Sequence, residues 1–192
     1  LQGLALLDVR GLLMHAYHRG TAPDAKLSPK TDKPVNSAGY GLRGFLDTYL
    51  IPLLHDFSPL NIVAVWDGGN NYREGLFAGY KARRHAEEKD PAVEAQITKM
   101  LDMAKALLAY SGAFNVRVEG VEADDVIGAF CLHFPEINKL VHTVDRDLLQ
   151  LADDNTMVLV GNMPASDFEG YPLRYVRLYK SLVGDKTDEY GG

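Results

Sequence analysis

Apolar runs that end in an aspartate recur along this chain. Leu4-Ala5-Leu6-Leu7-Asp8 and Asn61-Ile62-Val63-Ala64-Val65-Trp66-Asp67 are near-continuous apolar segments, the pattern of strands buried on both faces of a parallel sheet. Leu140-Val141-His142-Thr143-Val144-Asp145 repeats the design and adds Asp147 two residues further on. Asn115-Val116-Arg117-Val118-Glu119 alternates instead, which predicts an edge or half-buried strand, and 156–160 supplies a fifth. Helical spacing lies between them. It covers residues 11–19, and a segment capped by Ser37 that ends near Pro52 or runs past a kink to Leu54. It also covers 91–110, where Val93, Ile97, Leu101, Ala104 and Leu108 share a face behind Pro91. Residues 21–33, with Pro23 and Pro29, read as an exposed loop. Residues 171–184 read as a helix opened by Pro172 and stopped by Gly184. Strands alternating with helices predict an α/β fold with a mostly parallel, doubly wound sheet in one domain.

The carboxylates change the picture. Glu122, Asp124 and Asp125 fall within four residues, just before the chain turns apolar at Val126-Ile127. Acids suit the first turn of a helix, whose free N–H groups and dipole favour negative charge. An acidic helix start explains this stretch by itself, but not its recurrence with Asp8, Asp67, Asp145 and Asp147 at the ends of other elements. In open α/β sheets ligands bind outside the carboxyl ends of the strands. Acids gathered there repel one another unless cations compensate, and hard divalent ions with oxygen ligands are the natural compensation. Asp185 and Asp188 follow Gly184; alone they read as a solvated turn, and they bring the acids of interest to nine.

The chain has 192 residues, 46% of them apolar, enough for one sizeable core. Its apolar runs fall far short of the roughly 20 residues that cross a bilayer, and no basic-then-apolar leader opens it, so a soluble protein is expected. It starts at Leu1 and ends at Gly191-Gly192 just after an acidic pair, which suggests a piece of a longer protein. Cys131 is the single cysteine, expected in the core of a protein from a reducing compartment. The net charge of −6 argues at first against a nucleic-acid partner. Two divalent cations among the acids would leave −2, however, and the stretch from Tyr72 to His85 interleaves Arg73, Lys81, Arg83 and Arg84 with Tyr72 and Tyr80. Cations for phosphates beside rings for bases suit single-stranded nucleic acid, with a solvated helix face as the alternative.

Taken in order, these segments resemble the 5′-nuclease family of flap endonucleases, phage 5′-exonucleases and the 5′–3′ exonuclease domain of bacterial DNA polymerase I. The resemblance rests on Leu6-Leu7-Asp8 with Ala16-Tyr17-His18, on Val63-Ala64-Val65-Trp66-Asp67, and on Arg73 followed by Leu76-Phe77 and Tyr80-Lys81-Ala82-Arg83-Arg84. It continues through Glu122-Ala123-Asp124-Asp125-Val126-Ile127-Gly128, Asp145-Arg146-Asp147-Leu148-Leu149 and Gly184-Asp185-Lys186-Thr187-Asp188. The chain departs from the family in having Val9-Arg10 where Gly-Ser or Gly-Asn commonly follows the first aspartate. It also has Val144 in place of a glycine, and Glu189-Tyr190-Gly191-Gly192 in place of Asn-Ile-Pro-Gly.

The resemblance implies a PIN-like 5′-nuclease catalytic domain over 1–192, with a helical arch at about 81–98 and the chain ending before the family's helix–three-turn–helix. It implies one Mg2+ among Asp8, Asp67, Glu122, Asp124, Asp125, Asp145 and Asp147, partly through water, and a second near Asp185 and Asp188, with Mn2+ able to substitute. Such a pair, roughly 4 Å apart, hydrolyses phosphodiesters without a protein nucleophile. By the same resemblance Lys81 and Arg84 face the scissile phosphate as catalytic cations, and Arg73, Tyr80, Lys81, Arg83 and Arg84 contact DNA. The partner would be DNA with a single-stranded 5′ end or 5′ flap. The protein would be a monomer serving replication and repair in the cytoplasm of a bacterial or phage-infected cell. Three alternatives stay open: a PIN-like metal-dependent ribonuclease, a catalytically degenerate DNA-binding module, and a receiver-like signalling domain, which also gathers aspartates at strand ends.

Overall fold

The computed structural model describes residues 3–69, 72, 90–185 and 190–191. Strand β1 (Leu4–Asp8) runs straight into α1 (Val9–His18). The loop expected over 21–33 holds one half of a short antiparallel pair, β2 (Lys26–Leu27) with β3 (Pro34–Val35). Helix α2 (Ala38–Phe45), capped by Ser37 Oγ on the Tyr40 amide, passes through a π-turn at Leu46–Leu50 into α3 (Ile51–Phe57). Pro52 has no N–H to give the preceding turn, and the wider π winding accommodates it without ending the helix. The kink expected near Pro52 is therefore a turn of different pitch.

Strand β4 (Asn61–Trp66), α4 (Pro91–Tyr110), β5 (Phe114–Arg117), α5 (Ala123–His133), β6 (Lys139–Thr143) and β7 (Thr156–Val160) follow. Two-residue strands mark the tail: β8 (Met163–Pro164), β9 (Asp167–Phe168) paired with β10 (Tyr171–Pro172) and, after α6 (Val176–Val183), β11 (Gly184–Asp185) paired with β12 (Tyr190–Gly191). The helix expected over 171–184 thus begins later, at Val176, because β10 takes up Tyr171 and Pro172. Of the stretch expected to form an arch, residues 91–98 are the first turns of α4 and residues 81–89 lie outside the described residues.

The main sheet has the order β5-β4-β1-β6-β7-β8, parallel throughout except for β8, which turns back on β7. Helices cover both faces, so the sheet is doubly wound. One core packs Ala5, Leu7 and Ala64 against α1, α2 and α4; the other packs Leu6, Val63, Val65 and Val141 against α5 and the turn after β6. Neighbours along β1 thus face opposite cores, which is why that strand is apolar without alternation. Edge strand β5 is half-buried, as its alternation predicts. Trp66 and Cys131 are buried, and Trp66 Nε1 donates to Asn115 Oδ1 at 2.7 Å. Lys139 is a buried exception: its ammonium donates to the carbonyls of Phe134 (2.7 Å) and Ile137 (2.6 Å), satisfying the chain as it leaves α5. Among the described residues no helix is long and apolar enough to cross a membrane.

Candidate metal centre at the carboxyl edge of the sheet

The register of the three central strands decides where their terminal carboxylates meet. Asp8 lies beside Val65 of β4, and Leu7 beside His142 of β6. The next residues outward are Asp67 on one side and Thr143, Val144 and Asp145 on the other, all leaving the same edge.

Asp8 is half-buried and doubly held. Its Oδ1 accepts from the Gly11 amide at 3.2 Å, capping α1, and its Oδ2 accepts from Thr143 Oγ1 at 2.8 Å. Burial pushes the Asp8 carboxyl above the ordinary carboxylate range. The two hydrogen bonds pull it back, and the negative charges of Asp67 and Asp145 push it up again. Three acids far apart in sequence therefore act on one another, as a site of converging carboxylates requires.

Thr143 is the linchpin, and no sequence motif singles it out. Its hydroxyl donates to Asp8 and accepts from the Asp145 amide at 2.9 Å, joining the ends of β1 and β6. The one signal in the sequence is a hydroxyl at the end of an otherwise apolar strand, where burial obliges it to find a partner. Asp145 then caps the 3-10 turn at Arg146–Leu151, its Oδ1 accepting from the Asp147 amide at 2.8 Å.

Asp67 reaches the acidic helix start directly. Its Oδ1 accepts from the Ala123 amide at 3.0 Å, at the N-terminus of α5, while its Oδ2 lies 3.5 Å from Arg10 Nε. The backbone reinforces this junction, with Gly68 N donating to Val121 O at 2.8 Å. Gly68 has to be glycine, because a Cβ there would lie 1.8 Å from the Val118 carbonyl oxygen. Glu122 precedes the helix as its N-cap without a side-chain capping bond, and Asp124 and Asp125 fill the first turn, Asp124 Oδ1 accepting from the Asp125 amide at 2.7 Å. Asp147 pairs with Lys180 of α6, which ties the turn after β6 to the tail.

Asp185 pairs through its backbone with Tyr190. Asp188, Arg73, Tyr80, Lys81, Arg83 and Arg84 lie outside the described residues.

Among the described residues no three acid, histidine or cysteine side chains stand close enough together to ligate one ion. The donor set is all oxygen and anionic, and Asp8 is raised in part by its acidic neighbours, so a divalent cation fits the electrostatics.

Gly11 offers a test of how finely Asp8 is set. A Cβ at Gly11 would meet Asp8 Oδ2 at 2.4 Å, a contact the carboxylate must leave. Gly11→Ala is expected to keep or raise the melting temperature, since Ala exceeds Gly by about 1 kcal/mol inside a helix. Affinity for a divalent cation should nevertheless fall by roughly tenfold or more, on the scale seen when groups orienting a metal ligand are lost. Equal affinity in the two proteins would show that Asp8 tolerates displacement.

Comparison with known proteins bears on the family and the fold. The model of the family described as "5′-3′ exonuclease, N-terminal resolvase-like domain" matches residues 3–175. A Bacillus subtilis protein named 5′-3′ exonuclease is 34% identical over 203 residues, covering 98% of this chain and 64% of its own length. The DNA polymerase I of Pseudomonas aeruginosa is 30% identical over 200 residues, covering 98% of this chain and 20% of the polymerase. The chain thus spans just under two thirds of the exonuclease it matches. Among solved structures, the phage T5 5′-exonuclease with bound zinc superimposes with a TM-score of 0.69 at 18% identity, covering 98% of this chain and 69% of that one. A T5 flap endonuclease in a pseudo-enzyme–product complex with DNA and metal ions gives 0.67 at 18% identity, with the same coverage. At such identity these likenesses establish the fold, a mostly parallel α/β sheet of PIN-like type.

Proposed function

Because this chain belongs to the 5′-3′ exonuclease N-terminal, resolvase-like domain family, we propose that it hydrolyses phosphodiester bonds near the 5′ ends or 5′ flaps of DNA with the help of divalent metal ions. The observation that carries this reading is that Asp8, Asp67 and Asp145 leave the same carboxyl edge from three adjacent parallel strands, β4, β1 and β6. The proposed ions are two Mg2+, replaceable by Mn2+. Asp8, Asp67, Glu122, Asp124, Asp125, Asp145 and Asp147 would hold the first, and Asp185 and Asp188 would serve the second. Bound divalent ions supply charge neutralisation at the phosphate and activation of the attacking water.

The protein's own groups hold this arrangement open. Thr143 and the Gly11 amide fix the Asp8 carboxylate, so its lone pairs keep one orientation. Asp67 divides its two oxygens between the N-terminus of α5 and Arg10, and Asp145 keeps its place through the turn that it caps. Lys81 and Arg84 belong to the same proposal as cations opposite the scissile phosphate, with Arg73, Tyr80 and Arg83 binding the strand; these roles rest on the resemblance of Arg73, Leu76-Phe77 and Tyr80-Lys81-Ala82-Arg83-Arg84 to the family's segment. The unit proposed to act is a monomer on DNA.

Incubation with 5′-labelled flapped DNA tests the proposal. The wild-type chain should release short 5′ products in Mg2+ and none in chelator, and Asp145→Asn should cleave at least tenfold more slowly. Cleavage that survives the chelator would sink the metal-dependent reading. Cleavage of RNA but not of flapped DNA would transfer the site to a ribonuclease.

A further inference from the structure

Asp67 also borders a cavity of about 260 Å³. Among the described residues three cations from separate elements line it, Arg10 from the start of α1, Lys105 from α4 and Arg117 from the end of β5, together with Trp66. The acids on its walls are Asp67 and Asp102. In a chain of net charge −6, a hollow where cations outnumber acids calls for a reason.

We propose that this hollow is a phosphate-binding notch, which takes a DNA backbone phosphodiester next to the one being cut, with Arg10 and Lys105 as its binding cations. It rests on the nuclease reading above and deepens it.

Arg117 is the fixed wall. Its Nε donates to the Asp67 carbonyl at 3.1 Å and its Nη2 to the Gly68 carbonyl at 2.8 Å, so its charge is held at the turn that carries Asp67. Arg10 is the exchangeable cation. Its contact with Asp67 is 3.5 Å long and both side chains are nearly half exposed, 47% and 41%, the kind of pair that holds weakly. A divalent ion drawing on Asp67 takes away the partner of Arg10 and adds a like charge nearby. Among the described lining residues, Arg10, Lys105 and Arg117 then face Asp102, and the surplus of positive charge there suits an anion. Arginine forks match phosphate oxygens, and Lys105 adds a point charge. The volume equals several waters at ~30 Å³ each, room for a phosphate group with part of its hydration. Because Asp67 borders both the notch and the metal centre, a phosphate seated here would set the register of the strand at the carboxylates.

The test measures binding of labelled flapped DNA to the full chain with Ca2+ filling the carboxylates, together with steady-state cleavage in Mg2+. Arg10→Gln and Lys105→Gln should each weaken binding several-fold. Lys105→Gln alone should raise KM with Kd while kcat stays within about twofold, and the double variant should raise Kd by about tenfold. The slope of log K against log salt should become shallower by roughly one, as for one lost phosphate contact. In chelator the effect of Arg10→Gln should shrink, since Asp67 then occupies the arginine, and that of Lys105→Gln should persist. Lys105 lines the notch without contributing to the hydrogen bonds that hold Asp67, so its variant separates lost binding from a disturbed fold, which melting curves also check. Affinity and salt slope unchanged in both variants would overturn the proposal. A loss confined to substrates with a 5′-phosphate and absent with a 5′-hydroxyl would overturn the assignment to a backbone phosphodiester in favour of a terminal phosphate. A wild-type chain that cleaves no 5′-ended DNA would sink the nuclease reading, and the binding measurements would still decide the notch.

Discussion

Asp8→Asn is expected to make the metal-free protein melt at a higher temperature while removing nearly all Mg2+-dependent cleavage. The sign follows from linkage. Burial, with the charges of Asp67 and Asp145 behind it, raises the folded-state pKa of Asp8 above its unfolded value, so the folded state binds this proton more tightly. Stability from this group is present at low pH and is lost as pH rises from the unfolded carboxylate range through the raised folded value. At neutral pH the ionised side chain opposes folding. Asparagine keeps an oxygen for the Gly11 amide and caps a helix as well as aspartate does; its NH2 replaces the acceptor of the Thr143 hydroxyl, which must then accept, a cost that the removal of the buried charge is expected to exceed. A gain of about 1 kcal/mol would shift the melting temperature of a chain this size by roughly 2–4 °C. Mg2+ should raise the melting temperature of the wild type and do so much less for the variant. Cleavage should fall by a factor on the order of 10²–10³, the scale of one lost preorganised charge interaction. Thermal scans with and without Mg2+, beside flap cleavage, decide the matter: a variant that is no more stable than wild type in chelator would remove the claim that these carboxylates burden the fold.

That burden explains why so much of the site is legible in the amino-acid sequence. A strand buried on both faces has few reasons to end in aspartate, so Asp8, Asp67 and Asp145 stand out against Leu7, Trp66 and Val144. Pro91 and the periodic apolar face delimit α4 at Pro91–Tyr110, and the acids of α5 fall in its first turn, as their fit to a helix N-terminus requires. Other features leave no such mark. Lateral strand order depends on which faces meet after folding, and periodicity carries no trace of it; the central place of β1 between β4 and β6 emerges only in the sheet. The bridging role of Thr143 depends on a residue 135 positions away in sequence, and a lone hydroxyl has no pattern. A lysine at the start of a strand ordinarily reaches solvent, yet Lys139 is buried, because two carbonyls at the end of α5 satisfy it. Arg10 is visible in the sequence as a departure from the family pattern, but its pairing with Asp67 requires both strand ends in place.

Next to Thr143 on β6 lies a second titrating group, and it should dominate the acid limb of stability. His142 is buried, its Nε2 bonded to the Gly161 carbonyl and its ring packed edge-on against Tyr49 at 5.4 Å. A bond from Nε2 to a carbonyl requires that nitrogen to carry the proton, so the neutral imidazole fits the site as built. Burial lowers its pKa from 6.5 to about 4, against a smaller opposing pull from the Gly161 carbonyl. The depressed folded value means that the unfolded chain takes up this proton first as pH falls. Stability from His142 is therefore complete above about 6.5 and is lost as pH drops toward about 4. At about 1.36 kcal/mol per pH unit the loss across that window is about 3 kcal/mol, a sizeable share of a typical domain's stability. Asp8, whose carboxyl burial raises, works in the opposite direction as pH falls, so Asp8→Asn is the background in which to measure the histidine alone. In that background, urea denaturation at pH 7, 6, 5 and 4.5 should show stability falling steeply. His142→Gln, which retains a donor for the Gly161 carbonyl, should start less stable at pH 7 because it loses the ring contact, and its curve should be nearly flat down to pH 5. An equal slope in both proteins would assign the acid limb to other groups and leave His142 as a packing residue.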